Sequence, residues 1–149
     1  MKGVGLMNIA GAIIAGILGT IAMLAFFLSS PTRTGLFKLD VAGYVGLMFT
    51  ANLNLARLIG LSILTFNGAI LAVISAFLWD NNIGSATWPW GLIFGAALGC
   101  LSLLVMLILG RIHPRPSDTK VASQQTIGVI VWLGHVVYGL ITVLVYNAS

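Results

Sequence analysis

The chain has 149 residues, of which 59% are hydrophobic and 7% are charged, and its mean hydropathy is +1.08. A soluble domain carries about 25% charged residues, so this composition excludes a soluble enzyme, a nucleic-acid reader and a disordered tail. The net charge of +4 comes from seven Lys and Arg against three Asp and no Glu; the cations flank apolar runs, where they report membrane topology and contact with anionic headgroups, and form no stripe for nucleic acid.

In chain order, the first apolar run covers 4–28 and ends at Ser29-Ser30-Pro31. Lys2 in front of it imitates a signal peptide, but the run is too long and has no small-x-small cleavage site before a polar chain, so it reads as a retained span. The stretch from Thr32 to Arg57 is too polar to span. Within it Val41, Tyr44, Val45 and Met48 repeat at helical spacing behind Asp40 as N-cap, which predicts a short interfacial helix over about 40–50. That helix is either a plain connector or a docking surface for a neighbouring subunit. A second span covers 58–79 and stops at Asp80-Asn81-Asn82. A third covers 89–110, halted by Arg111 and Pro114, and a fourth covers 126–146. Each is long enough to cross about 30 Å of hydrocarbon, and spans of this length are helices. The fold class is therefore all-α, a bundle of four transmembrane helices forming one domain over 1–149.

Arg33, Lys38 and Arg57 lie between spans one and two, and Arg111, Arg115 and Lys120 between spans three and four; the other side has only Lys2. The excess of cations predicts cytoplasmic basic loops and both termini on the non-cytoplasmic side, with Trp79, Trp88 and Trp90 at the opposite headgroup boundary.

Small residues permit close helix packing in lipid. The third span has Gly91, Gly95 and Gly99 four residues apart, continuing to Ser102, in the pattern of a glycine zipper. The first offers Asn8, Ala12, Ala15, Gly19 and Ala22. The fourth offers Gly128, Trp132, His135, Gly139, Thr142 and Tyr146. These stripes serve contacts within the chain or with a partner equally well.

Two polar residues fall at mid-depth. Asn67 predicts an interhelical hydrogen bond. His135 is either a structural histidine or, as the single axial ligand of a chlorophyll-type pigment, a cofactor residue; a proton-linked or quinone-related role is the third option. Two-histidine haem ligation is excluded, because His113 lies beside Pro114 at the wrong depth, and His135 with Cys100 is too few ligands for zinc or copper. Cys100, the only cysteine, reads as a small apolar filler. No catalytic triad, paired carboxylates or nucleotide-binding loop is present, and Asp40, Asp80 and Asp118 all lie in loops, so no enzyme is expected.

Leu39-Asp40-Val41, Trp90-Gly91-Leu92-Ile93-Phe94-Gly95 and His135-Val136-Val137-Tyr138-Gly139 together resemble an uncharacterised family of small bacterial four-helix membrane proteins. The resemblance implies the same architecture and a bacterial inner (cytoplasmic) membrane, but no activity. Members often carry a further histidine in span two, where this chain reads Thr65-Phe66-Asn67-Gly68. The expected function is that of a non-catalytic accessory subunit of a larger membrane complex, of the respiratory or photosynthetic electron-transfer type. Its partners would be membrane lipids and other integral membrane subunits, with no nucleic acid; no cofactor is required, and a pigment or lipid is compatible. A stand-alone transporter, channel or ligand-binding protein is the alternative, for which Asn8, Asn67, Ser102 and His135 are the candidates to line a polar route.

Overall fold

Hydrocarbon offers a backbone no hydrogen-bond partner except itself, and the fold answers that constraint with helices alone. The computed structural model describes residues 7–29, 40–114 and 124–149, and among these there is no strand. The elements are α1 (Ile9–Ser29), α2 (Val41–Gly46), α3 (Leu53–Asp80), α4 (Trp88–Ile112) and α5 (Gln124–Ala148). All except α2 are long and apolar enough to cross a membrane, so this is an all-α four-helix protein of multi-pass character. Residues 4–6 of the first expected span lie outside the described residues. So do Lys2, Arg33, Lys38, Leu39, Arg115, Asp118 and Lys120, and the predicted orientation rests on most of these.

The helix ends follow local chemistry. Asn8 Oδ1 accepts the Gly11 N–H at 2.9 Å and so starts α1. Asp40 caps α2 as expected, its Oδ1 accepting from Gly43 N at 2.7 Å. The second span begins at Leu53, five residues before the expected Leu58. There Asn52 Oδ1 accepts from Asn54 N at 3.0 Å and Leu55 N at 3.2 Å, a cap that lets the polar Asn54 and Arg57 belong to the helix. Between α3 and α4 the chain reverses through Asn82 and Gly84, both with positive φ, at 62° and 81°, a conformation that glycine takes freely and asparagine tolerates. Pro89 sits in the first turn of α4, where its missing N–H costs nothing. At the other end His113, held extended (φ −65°, ψ 123°) by the following Pro114, stops α4.

The helices associate as neighbours in the order α3, α1, α5, α4, with α2 laid on α3. Consecutive α3 and α4 therefore do not form a packed pair of their own; α1 and α5 stand between them. In keeping with this, α1 and α5 are the more buried spans and α3 and α4 the more exposed. The core sits where all the helices converge: Met23 and Phe27 of α1, Leu98 of α4, and Ile130 and Tyr138 of α5, with Val41 of α2 and Leu71 of α3 packed against them.

Candidate functional site

The α4–α5 seam positions His135. On α4, Gly91 and Gly95 lie directly against α5: a Cβ on Gly91 would stand 2.8 Å from the Gly139 carbonyl oxygen, and one on Gly95 would run into the His135 carbonyl. Gly139 answers from the other side, where a Cβ would be 2.8 Å from Gly95 Cα. Gly99 faces the Trp132 ring, which a Cβ would approach to 2.7 Å. Gly128 differs. A Cβ there would meet only Leu103 Cδ2, at 3.5 Å, an ordinary contact. Four of the five glycines expected to pack thus lie where two backbones meet, and they bring the neighbouring polar side chains into range.

His135 is bonded at both ring nitrogens. Its Nδ1 lies 2.8 Å from the Val131 carbonyl one turn back, and its Nε2 lies 2.7 Å from Ser102 Oγ on α4. A carbonyl oxygen only accepts, so Nδ1 carries a proton; in the neutral ring Nε2 then accepts from the Ser102 hydroxyl. Any axial ligation through Nε2 has to displace Ser102. Ser102 continues the face of Gly91, Gly95 and Gly99, and that register is the signal by which the pair was foreseeable from sequence.

Several other polar groups in the spans are also engaged. Tyr138 Oη donates to the Gly68 carbonyl of α3 at 2.6 Å, tying α5 to α3. Thr20 Oγ1 donates to Gly16 O at 2.9 Å, and Ser75 Oγ to Leu71 O at 2.7 Å. Asn8, offered as a lining residue, lies at the far end of the bundle, where its Nδ2 donates to Ser149 Oγ at 3.3 Å. Sequence reasoning missed the Tyr138 bond, because nothing in the run around Gly68 marks its carbonyl as an acceptor.

Thr142 and Asn67 are the exceptions. The Thr142 hydroxyl is buried with no hydrogen-bond partner among the described residues. Asn67, exposed at the middle of α3, has a carboxamide that makes no hydrogen bond among them. The expected interhelical bond is not made among the described residues. One edge of Asn67 borders a recess of about 30 Å³ whose wall also includes His135, Tyr138, Thr20, Met23 and Leu71. Asn67 and His135 are thereby brought to one place, but the space is that of about one water molecule.

A second polar cluster closes the end that carries α2. Buried His113 lies with Nε2 3.0 Å from the Tyr44 carbonyl, and its ring stacks on Tyr44 with centroids 4.4 Å apart. Arg57 Nε donates to Asp40 Oδ2 at 2.6 Å. These contacts join α2 to both α3 and α4. Burial of Tyr44 raises its phenol above the ordinary value of 10.0. The segment expected as an interfacial helix is therefore a packed clamp, with Gly43, Gly46 and Leu47 buried.

Among the described residues no three His, Cys, Asp or Glu side chains converge as metal ligands, and Cys100 is exposed on α4. Comparison with family models, curated proteins and solved structures gave no match.

Proposed function

We propose that this chain is a non-catalytic accessory subunit of a larger membrane assembly, with respiratory and photosynthetic electron-transfer complexes as the first place to look. One observation carries the reading. Most polar side chains between the helices are spent on structural hydrogen bonds: both nitrogens of His135 and the hydroxyls of Ser102, Tyr138, Thr20 and Ser75, with the buried Thr142 hydroxyl unpartnered among the described residues. What remains is membrane-facing surface, broad on α3 and α4, and such surface serves association. The small-residue faces of α1, α4 and α5 add no support, because they are consumed inside the chain: Gly16 lies on Gly68 and Ala69, Gly19 on Thr142 and Tyr138, and Gly95 on His135.

A stand-alone transporter or ligand-binding protein is the second reading, favoured by the convergence of Asn67 and His135 on one recess. Its volume of about 30 Å³ suits a water and is too small for an organic ligand, for which sites of roughly 300–1,000 Å³ are usual. Purification from the native membrane in mild detergent, with subunit identification and an absorbance spectrum, separates the two. Co-purification with oxidase, quinol-oxidising or reaction-centre subunits is the expected result. A colourless protein free of other subunits would reject the accessory role.

A further inference from the structure

The face of α3 that points away from α1 carries a regular pattern. Ile63, Asn67, Ile70, Ile74 and Phe77 follow one another at steps of four, three, four and three. That is the a/d spacing of a helix pair, an average of 3.5 residues per turn that keeps one stripe facing a partner helix along its length. α3 rests on α1 through Gly68, Ala69 and Ala72 against Gly16. At 100° per residue the isoleucines and Phe77 of the stripe lie on the far side, with Asn67 at its edge beside the recess shared with Thr20 and Met23. All five residues are exposed: Ile63 37%, Ile70 42%, Ile74 45% and Phe77 57%, with Asn67 in the same class. The pattern extends two steps further back, to Gly60 and Ala56, but there α2 already covers it, the carbonyl of Ala42 lying over Gly60 and that of Ala56 against Gly46. The open stripe therefore runs from Ile63 to Phe77, through the middle of the span, with one polar residue on it.

We infer that α3 pairs with α3 of a second copy of this chain, the two helices parallel and the two Asn67 side chains hydrogen-bonded to each other across a two-fold axis. Three features select a second copy as the occupant. First, a carboxamide is both donor and acceptor, so two of them related by a two-fold exchange reciprocal bonds and each satisfies the other. A lipid chain offers no such partner, and Asn67 has none within the described residues. Second, copies of one chain insert with one topology, so α3 meets α3 in parallel and the stripes align in register, Ile63 on Ile63 through Phe77 on Phe77. A single asparagine in an otherwise apolar a/d seam is a device that specifies register in parallel pairs. Third, no charged residue lies between Leu58 and Trp79, so like charges do not oppose one another at the axis, as they would in a self-complementary interface that carried them. The surface is also concave. A shallow groove of about 650 Å³ alongside the stripe is bordered by Phe66, Ile70 and Ile74 of α3 and by Ile13 and Ile17 of α1, which gives the incoming helix room to seat its side chains.

The pairing stands apart from the accessory role, since a dimer can be free or part of an assembly. The native thiol serves as its control: Cys100 is exposed on α4, which packs on α5 rather than α3. The test is made with the purified full chain in lipid nanodiscs or mild detergent. The mass is read by light scattering, and cross-linking by copper-phenanthroline oxidation of Ile70→Cys in a Cys100→Ser background. The expected result is a dimer whose Ile70→Cys variant cross-links across the axis, while oxidised wild type, carrying only Cys100, does not. Asn67→Leu should raise the dissociation constant about tenfold, the scale of interhelical hydrogen bonds in membranes. A monomer at all protein-to-detergent ratios overturns the pairing. So does a dimer that cross-links through Cys100 and not through Ile70→Cys, which would place the interface on α4. An unchanged dissociation constant in a folded Asn67→Leu overturns the role of the amide. Should that variant fail to fold, the cross-linking arm, which keeps Asn67, decides.

Discussion

His135 and Asn67 both lie near the middle of apolar helices and border one recess, yet among the described residues one is bonded on both sides and the other on neither. His135 sits on the seam where Gly91, Gly95 and Gly139 draw two backbones together, so a serine on the facing helix reaches its ring. Asn67 sits on an end helix of the row, exposed at the rim of the recess it shares with Thr20 and Met23 of α1 and with His135 and Tyr138 of α5. For His135 the glycines bring the second helix close enough to satisfy the ring, although close approach alone is not sufficient, since the Thr142 hydroxyl against Gly19 is left unpartnered among the described residues. At Asn67 no second helix brings a partner among the described residues, and the pairing inferred above would supply one from a second copy.

Disrupting the close approach is the strongest way to break the contrast. Gly95→Leu forces a side chain into the His135 carbonyl and the Val136 backbone. It should destabilise the fold by about 3 kcal/mol or more, as overpacking against rigid backbone does. Thermal unfolding in detergent reads this out, and the same change at Gly128, where only Leu103 stands near, should cost much less.

The hydrogen bond itself gives a smaller effect. Ser102→Ala strips Nε2 of its partner and should cost about 1–2 kcal/mol. His135→Leu leaves Ser102 able to turn back to its own helix carbonyl at i−4, so the hydroxyl loss alone should exceed what the imidazole loss costs through unsatisfied groups. Chemical unfolding of both variants compares them. Loss of an absorbance band in folded His135→Leu would instead show a pigment ligated there in place of Ser102.

The smallest effect belongs to the clamp at the α2 end. Tyr44 has its phenol raised by burial above 10.0. A raised value means the folded state holds the proton more tightly than the unfolded chain. The stability this contributes is complete below pH 10 and is lost as pH climbs through the raised value. Tyr44→Phe should therefore flatten the alkaline limb of the stability profile relative to wild type, measured as the pH dependence of the unfolding midpoint.

Much of this architecture was legible in the residues taken in order. The four spans, the Asp40 cap and the halt at Pro114 are local properties: run length against hydrocarbon thickness, a side chain two or three residues from the N–H it bonds, a ring that forces its predecessor extended. The early start of α3 was missed because Arg57 and Asn54 break the apolar run while Asn52 still caps the helix. The pairing of α3 with α1 rather than with α4, its neighbour in sequence, was not legible. A small-residue stripe says which face packs and leaves open which helix it packs on, since the same stripe fits several partners equally well. That choice joined Ser102 to His135 across 33 residues and Tyr138 to Gly68 across 70, and it left Asn67 facing outward. Sequence alone determined that four helices are long and apolar enough to cross a membrane, because run length and composition are local properties. Only the tertiary structure decided which polar side chains are satisfied within the chain, because that depends on which two faces meet.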